Sequence, residues 1–350
     1  MRGYFSLDDS DCIEISWKDL ILLCLHLEPT IIRASDSKYY KAAERSQFTN
    51  LRTTRGQMSK FSLLRSVMFA PADKMKVLNK AWANTSLDAM VMDMEDATLA
   101  TDEGKAEARR NVLDFLSTNA PARGHPTAVV RVNCPISTPW GSEDLAQLIP
   151  IKPPAIVLPK AEDVELISDV AKDLDDATEL WVMVETAKGV QNVDQIAALD
   201  KVTALVFGSN DFSKDIGARL TLEREPLVYA MGRTIVAASA QRKTVIDGVF
   251  MDLSDGMDDD LRAQCVQGKE MGFDGKSLIH PKQIEIANDV WAPSSEEVEY
   301  AGKVIHKYTE AMAAGRGVAL LDGKLIESLH MDAAKSLLVQ HSLIEDKNRK

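Results

Sequence analysis

Eight short apolar runs, each followed by a longer stretch of helical period, set the strongest limit on what this chain can fold into. The runs are Ser66 to Phe69, Ala89 to Met92, Ala128 to Val132, Ala155 to Leu158, Leu180 to Val184, Ala204 to Phe207, Val245 to Val249 and Lys276 to Ile279. Each has the length of a buried strand. Between them Val164, Ile167, Val170 and Leu174, and again Leu227, Met231, Ile235 and Ala238, recur at steps of three and four, which places apolar side chains on one helical stripe. Strands alternating with amphipathic helices predict crossover connections around a parallel sheet. Eight such units between Arg65 and Pro281 match an α/β fold closed as a (β/α)8 TIM barrel, typically ~250 residues long. An open doubly wound sheet is the competitor, and it is disfavoured because no Gly-x-Gly-x-x-Gly follows any run.

On this reading residues 1–57 are a leader, 58–293 the barrel domain and 294–350 a C-terminal helix–hairpin–helix extension. The extension begins with Val298, Ala301, Ile305, Tyr308 and Met312 on one helical face ending at Gly315. Val318 to Leu321, the turn Asp322-Gly323 and Lys324 to Ile326 then read as a hairpin, and a short helix is expected from about Met331. The leader has no sustained period. Its stretch Ser37 to Lys60 is rich in Ser, Thr and bases with the single acid Glu44, like a transit peptide tail, whereas Asp8, Asp9, Asp11, Glu14, Asp19, Glu28 and Asp36 are foreign to one. Met58 precedes the first strand closely, so a mis-set start, a poorly ordered leader and a targeting segment all fit. The expected location is the cytoplasm, or the mitochondrion if the leader is a transit peptide.

Composition removes several classes of function. With 41 Lys and Arg against 53 Asp and Glu, the net charge of −12 disfavours a nucleic-acid binder. The longest apolar run near the start, Leu20 to Leu27 interrupted by His26, is far short of the ~20 residues of a membrane span, so no membrane partner is expected. Cys12, Cys24, Cys134 and Cys265 are widely separated, form no Cys-x-x-Cys pair, and read as free thiols of a reducing compartment.

In a (β/α)8 barrel the chemistry sits where strands end, and the residues following these runs are strongly polar. The second is followed by Asp93-Met94-Glu95-Asp96, the third ends in Arg131-Val132-Asn133, and the fourth is followed by Pro159-Lys160. The fifth leads into Glu185-Thr186, the sixth into Gly208-Ser209-Asn210-Asp211, the seventh is followed by Asp252 and Asp255, and the eighth ends in His280-Pro281. So many carboxylates at one barrel mouth repel one another and rise in pKa unless cations or hydrogen bonds offset them. A divalent cation is the simplest remedy, and an oxygen-rich ligand set suits Mg2+ or Mn2+. Glu185 and Asp211, on adjacent strands, are the best two ligands. The same acids could instead cap the helices that follow. Arg131 lies where a strand buries its side chains; it could bind a substrate carboxylate or stabilise an enolate oxygen, or form an ion pair with Asp93 or Glu95. Arg65 opens the first strand at the barrel's bottom, which argues for a structural role. Lys276 and His280 frame the eighth strand, and a lone histidine is more often a satisfied hydrogen-bonding group than a ligand.

Five motifs in order make the likeness specific: Arg65-Ser66-x-x-Phe69-x-Pro71; Asp93-Met94-Glu95-Asp96-Ala97; Arg131-Val132-Asn133 with Thr138-Pro139-Trp140-Gly141; Val184-Glu185-Thr186-Ala187-x-Gly189-Val190; and Gly275-Lys276-x-x-Ile279-His280-Pro281. From about Phe61 to Val339 the chain resembles the citrate lyase beta-subunit-like CoA ester lyases of the HpcH/HpaI aldolase group. The resemblance implies a metal-dependent (β/α)8 barrel in which Glu185 and Asp211 hold Mg2+, Arg131 binds substrate and Glu95 and Asp96 form the acidic pair near the metal. It also implies that Arg65 and Lys276 lie near the CoA phosphates. It further implies a homo-oligomer, trimer or hexamer, in which the segment Asp322 to Glu327 reaches into a neighbouring subunit's site and delivers a catalytic carboxylate. Here that carboxylate is Glu327 where several relatives have Asp, a displacement of about one bond length in a geometry sensitive to ~1 Å.

The function expected from the likeness is a Mg2+-dependent carbon–carbon lyase. It cleaves a 3-hydroxyacyl-CoA thioester such as malyl-CoA, β-methylmalyl-CoA or citramalyl-CoA into acyl-CoA and a 2-oxoacid, glyoxylate or pyruvate, or runs the reverse Claisen-type condensation. The competing expectations are a malyl-CoA thioesterase, a CoA-independent aldolase of free 2-oxoacids, and a non-catalytic subunit of a citrate lyase-type complex.

Overall fold

The structure, a computed structural model, describes residues 2–6, 12–16, 63–119 and 124–349. Two compact units divide the described residues: one holds those between 63 and 291, the other 2–6, 12–16 and 292–349. The first holds the eight expected strands: β1 (Ser66–Pro71), β2 (Ala89–Asp93), β3 (Thr127–Arg131), β4 (Ala155–Leu158), β5 (Glu179–Val184), β6 (Val202–Phe207), β7 (Thr244–Asp247) and β8 (Gly275–Leu278). Every neighbouring pair is parallel, and β8 pairs with both β7 and β1, which closes the barrel. The helices that return the chain include α1 (Met75–Trp82), α2 (Asp102–Thr118), α3 (Trp140–Leu148), α4 (Val164–Asp173) and α5 (Ala187–Ala197). After β6 a short helix α6 (Ser209–Asp215) precedes the crossover helix α7 (Val228–Ala240), and α8 (Asp258–Met271) and α9 (Gln283–Trp291) complete the ring.

The two-residue period of the strands sorts side chains into two layers. Val67, Val91, Val129, Val157, Trp181 and Val206 fill the barrel's interior. Met68, Met90, Val130, Ile156, Val182 and Leu205 face outward and pack with the helices. Continuing the inward series by one step turns Asp93 and Arg131 inward at the C-terminal ends of β2 and β3, and Glu185 just past β5. Closure of β8 on β1 depends on Gly275, because a Cβ there would lie 1.8 Å from the Leu64 carbonyl oxygen. The open-sheet alternative is thereby excluded.

In the second unit α10 (Ser295–Ala313) starts with a Ser294–Glu297 capping box, and Gly315 follows its end with φ 71. Strands β9 (Ala319–Leu321) and β10 (Lys324–Ile326) form the expected hairpin. Asp322 and Gly323 have φ of 49 and 76, the double left-handed turn that matches strand twist. The last helix, α11 (Ser328–Asn348), begins earlier than expected and is long rather than short. Its apolar positions Ala334 and Leu338 join Ala301, Ile305, Leu321 and Ile326 in a separate small core. In the leader, Arg2–Ser6 pairs antiparallel with Cys12–Ser16, and the other leader expectations fall outside the described residues. No described helix is long and apolar enough to cross a membrane. Cys134 and Cys265 are buried free thiols.

Candidate active site

The acidic loop after β2 is built around two cations. The Asp93 carboxylate accepts from Arg131 Nε at 2.8 Å and Nη2 at 2.6 Å, a bidentate pair across β2 and β3. The same carboxylate accepts the Glu95 and Ala97 backbone N–H groups, which turns the chain back over the barrel. Beneath the loop the buried Lys105 Nζ, from α2, donates to the carbonyls of Met94 at 2.8 Å and Glu95 at 2.5 Å and to Thr98 Oγ1 at 3.0 Å. Burial pulls the Lys105 pKa down, against the field of Asp93 and Glu95.

Arg131 is buried and fully committed to the mouth. Its Nη1 lies 2.9 Å from Glu95 Oε2 and 3.8 Å from Asp96 Oδ2, and it donates to Met183 Sδ at 3.4 Å. The guanidinium stacks over the Phe69 ring at 5.0 Å. Burial disfavours its charge, but Asp93 and Glu95 more than offset that, so the group is held firmly protonated. The ion-pair partners considered from sequence are thus both present. They fix the guanidinium within the mouth.

Glu185 is 1% exposed, and only one of its oxygens is satisfied: Oε1 accepts the Lys160 backbone N–H at 2.7 Å, while Oε2 is buried without a hydrogen-bond partner. Gly208 permits this placement, since a Cβ there would stand 2.4 Å from Glu185 Cβ. Burial pushes the Glu185 carboxyl up to about 8; Glu95 and Asp211 add to the rise, and Arg131 and the Lys160 N–H oppose it. Glu95 is raised as well, with burial outweighing the pull of Arg131 and Lys160. Asp211 sits in the first turn of α6, and the neighbouring Asn210 Oδ1 is also buried without a partner.

These features fit a divalent cation. Asp93, Glu95, Asp96, Glu185 and Asp211 face Arg131, Lys160 and Lys105, which leaves the carboxylates in excess. The buried Oε2 of Glu185 is a carboxylate oxygen without a hydrogen-bond partner. Among the described residues no group of three or more His, Cys, Asp or Glu side chains is arranged to hold a metal. A site here would therefore take two carboxylates, Glu185 and Asp211, and complete its shell with water and substrate, as Mg2+ commonly does.

The structure brings Arg131, Glu95, Asp96, Glu185 and Asp211 to one barrel mouth. It does not bring Arg65 or Lys276 there: each is engaged in a buried ion pair away from these carboxylates. Arg65 precedes β1 at the opposite end, buried, with Nε and Nη2 each 2.9 Å from the Asp88 carboxylate. Lys276 follows the outward parity of β8 and is 0% exposed; its Nζ donates to Asp247 Oδ2 at 2.9 Å and the Gly248 carbonyl at 2.8 Å. Both cations are buried against a carboxylate of the same chain. His280 accepts the Lys282 N–H through Nδ1 at 3.2 Å, the ordinary role considered for it. Glu327 belongs to the other unit, where it stands at the N-cap of α11 and its backbone N–H donates to His330 Nδ1 at 3.1 Å. Two groups of the site carry less weight in the sequence than they do here: Asp93 stands there only as a possible ion-pair partner of Arg131, and Lys160 only as a polar residue after the fourth run. Asp93 sets the Arg131 guanidinium, and Lys160, in the left-handed region with φ 47, contacts both Glu185 and Glu95.

The description HpcH/HpaI aldolase/citrate lyase matches residues 65–281. The chain belongs to this family. It is 41% identical to a (3S)-malyl-CoA thioesterase of Cereibacter sphaeroides over 80% of this chain and 95% of that one. It is 29% identical to the mitochondrial citramalyl-CoA lyase of Homo sapiens over 81% of this chain and 87% of that one. Among solved structures, a citrate lyase beta subunit of M. tuberculosis complexed with oxaloacetate and magnesium superposes with a TM-score of 0.57 at 25% identity, covering 67% of this chain and 100% of that chain. The relatives' names thus include a carbon–carbon lyase and a thioesterase of CoA esters.

Proposed function

We propose that the chain is a Mg2+-dependent lyase of 3-hydroxyacyl-CoA thioesters of the malyl-CoA class, yielding an acyl-CoA and a 2-oxoacid. The observation that carries this reading is the buried, unpartnered Oε2 of Glu185 in a mouth where Arg131 is already held in place by Asp93 and Glu95. Glu185 and Asp211 would hold the cation, which when bound supplies Lewis acidity toward the substrate's hydroxyl and carboxylate oxygens. Asp93 fixes Arg131 so that Nη1 faces the mouth, where a guanidinium stabilises negative charge on a substrate oxygen. In cleavage the hydroxyl gives its proton to water, its oxygen becomes the carbonyl of the 2-oxoacid, and the broken carbon–carbon bond leaves its electron pair on the acyl-CoA as an enolate. Protonation at carbon completes the acyl-CoA, and Glu327 of a neighbouring copy is the proton carrier in this reading. The assembly is then a homo-oligomer, and specific activity falls on dilution to the monomer.

A thioesterase is the second reading, favoured by the name of the relative at 41% identity. Water then attacks the thioester carbonyl and CoA leaves as thiol. Purified chain is incubated with Mg2+ and racemic malyl-CoA while glyoxylate and free CoA thiol are followed in one sample. Glyoxylate with acetyl-CoA supports the lyase. Thiol with malate and no glyoxylate replaces it by the thioesterase, and activity on free oxaloacetate without CoA would contradict both.

A further inference from the structure

One residue touches both halves of the acidic mouth. Lys160 follows β4, and its left-handed backbone, φ 47, is a conformation that non-glycine residues adopt at a cost. That backbone aims the N–H at Glu185 Oε1, 2.7 Å away, and the side chain returns across the mouth to Glu95 Oε1 at 2.6 Å. Glu95 is therefore shared: Oε1 goes to Lys160, and Oε2 lies against Arg131 Nη1 at 2.9 Å. The Lys160 side chain is 32% exposed, so its ammonium is the accessible member of the pair while Glu95 is buried at 6%. A single lysine thus separates the two buried carboxylates.

We propose that Lys160 is a positioning residue that keeps Glu95 on Arg131 and out of the cation site formed by Glu185 and Asp211. Without the ammonium, Glu95 has one cationic partner left and is free to turn toward the cation as an additional oxygen ligand. That would loosen the hold on Arg131 Nη1 and take a coordination position that the substrate needs. The backbone N–H continues to orient Glu185 whatever the side chain is, so the two tasks of Lys160 separate by substitution. This inference rests on the proposed cation site but not on the identity of the thioester.

The test is Mg2+ titration by calorimetry of wild type, Lys160→Gly, Glu95→Gln and the double variant, each freed of metal. Glycine tolerates the left-handed backbone and keeps the N–H; Lys160→Asn is the second variant that tolerates it. Lys160→Gly should bind Mg2+ about three- to tenfold more tightly, and the gain should vanish in the Glu95→Gln background, since coupled neighbours do not add. In parallel, kcat on the thioester should fall in Lys160→Gly with KM nearly unchanged and recover in part with Lys160→Arg. An equal gain in both backgrounds would mean that the ammonium acts on the cation through its field alone, and would overturn the proposal. Weaker Mg2+ binding in both Lys160→Gly and Lys160→Asn would overturn it too. Failure of wild type to turn over malyl-CoA would contradict the substrate reading, whereas the Mg2+ titrations still decide the role of Lys160.

Discussion

Two buried charge clusters lie in the same barrel, and they are built to opposite ends. Asp247, at the end of β7, faces the helical layer. Its Oδ1 accepts from Arg224 Nη1 at 2.6 Å and the Gly248 N–H at 2.7 Å, and its Oδ2 accepts from the same Arg224 nitrogen at 2.8 Å and from Lys276 Nζ at 2.9 Å. Two cations surround one carboxylate with both oxygens in use. At the mouth the ratio is reversed, carboxylates exceed cations, and Glu185 Oε2 has no partner. Buried charge alone therefore does not mark the site. Unpartnered buried atoms occur elsewhere too, Arg109 Nη2 among them; what distinguishes the mouth is that a buried carboxylate oxygen lacks a partner where carboxylates already outnumber cations.

The comparison is broken most directly by substitution at Glu185. Glu185→Gln should lower turnover by about 10³-fold, the several kcal/mol that a Lewis acid supplies, while the urea midpoint of metal-free protein at neutral pH stays level because Glu185, raised to about 8, is already largely protonated there. Turnover near wild type would mean that the cation is held elsewhere. At the closed cluster the expectation reverses. Asp247→Asn leaves Lys276 and Arg224 uncompensated and should cost about 3–5 kcal/mol of stability in urea unfolding. An unchanged midpoint would mean that the cluster is not the structural element described.

Arg131→Lys keeps the charge but loses the bidentate grip on Asp93, and kcat should fall about 10²-fold. A smaller loss would relieve the guanidinium of its fixed geometry. The pH dependence of metal-free protein sharpens the contrast further. Glu185 is raised from 4.5 to about 8, so between these values the folded state holds a proton that the unfolded chain has released. Stability contributed by this group is full below about 4.5 and is lost as pH rises through 8. Thermal unfolding with chelator present should show that decline in wild type and not in Glu185→Gln. The smallest effect is expected for Lys276→Met, about 1–3 kcal/mol of stability with KM for a CoA thioester within about twofold of wild type. A large rise in KM would return Lys276 to phosphate binding.

Much of this was legible in the chain itself. Eight apolar runs gave the barrel because each strand is buried on both faces, and reading the residue after each run brought Glu95, Arg131, Glu185 and Asp211 to one end. Lys276 shows where such reading stops. Its strand has four residues, Gly275–Leu278, and a one-residue difference in parity moves a side chain from the interior to the helical layer. Arg65 was placed at the barrel's bottom by its position before β1, and its pairing with Asp88 agrees with that placement. Lys160 was visible as a polar residue after the fourth run, but its double contact depends on a left-handed φ that no periodicity encodes. The length of α11 was missed because its apolar positions form no clear stripe before Ala334 and Leu338.

The central claim is that Glu185 is the open ligand of a cation site at the barrel mouth, and calorimetric Mg2+ titration of metal-free wild type against Glu185→Gln tests it most directly. Saturable binding in wild type that is lost in the folded variant is the predicted result. Equal binding by the two proteins would contradict the account.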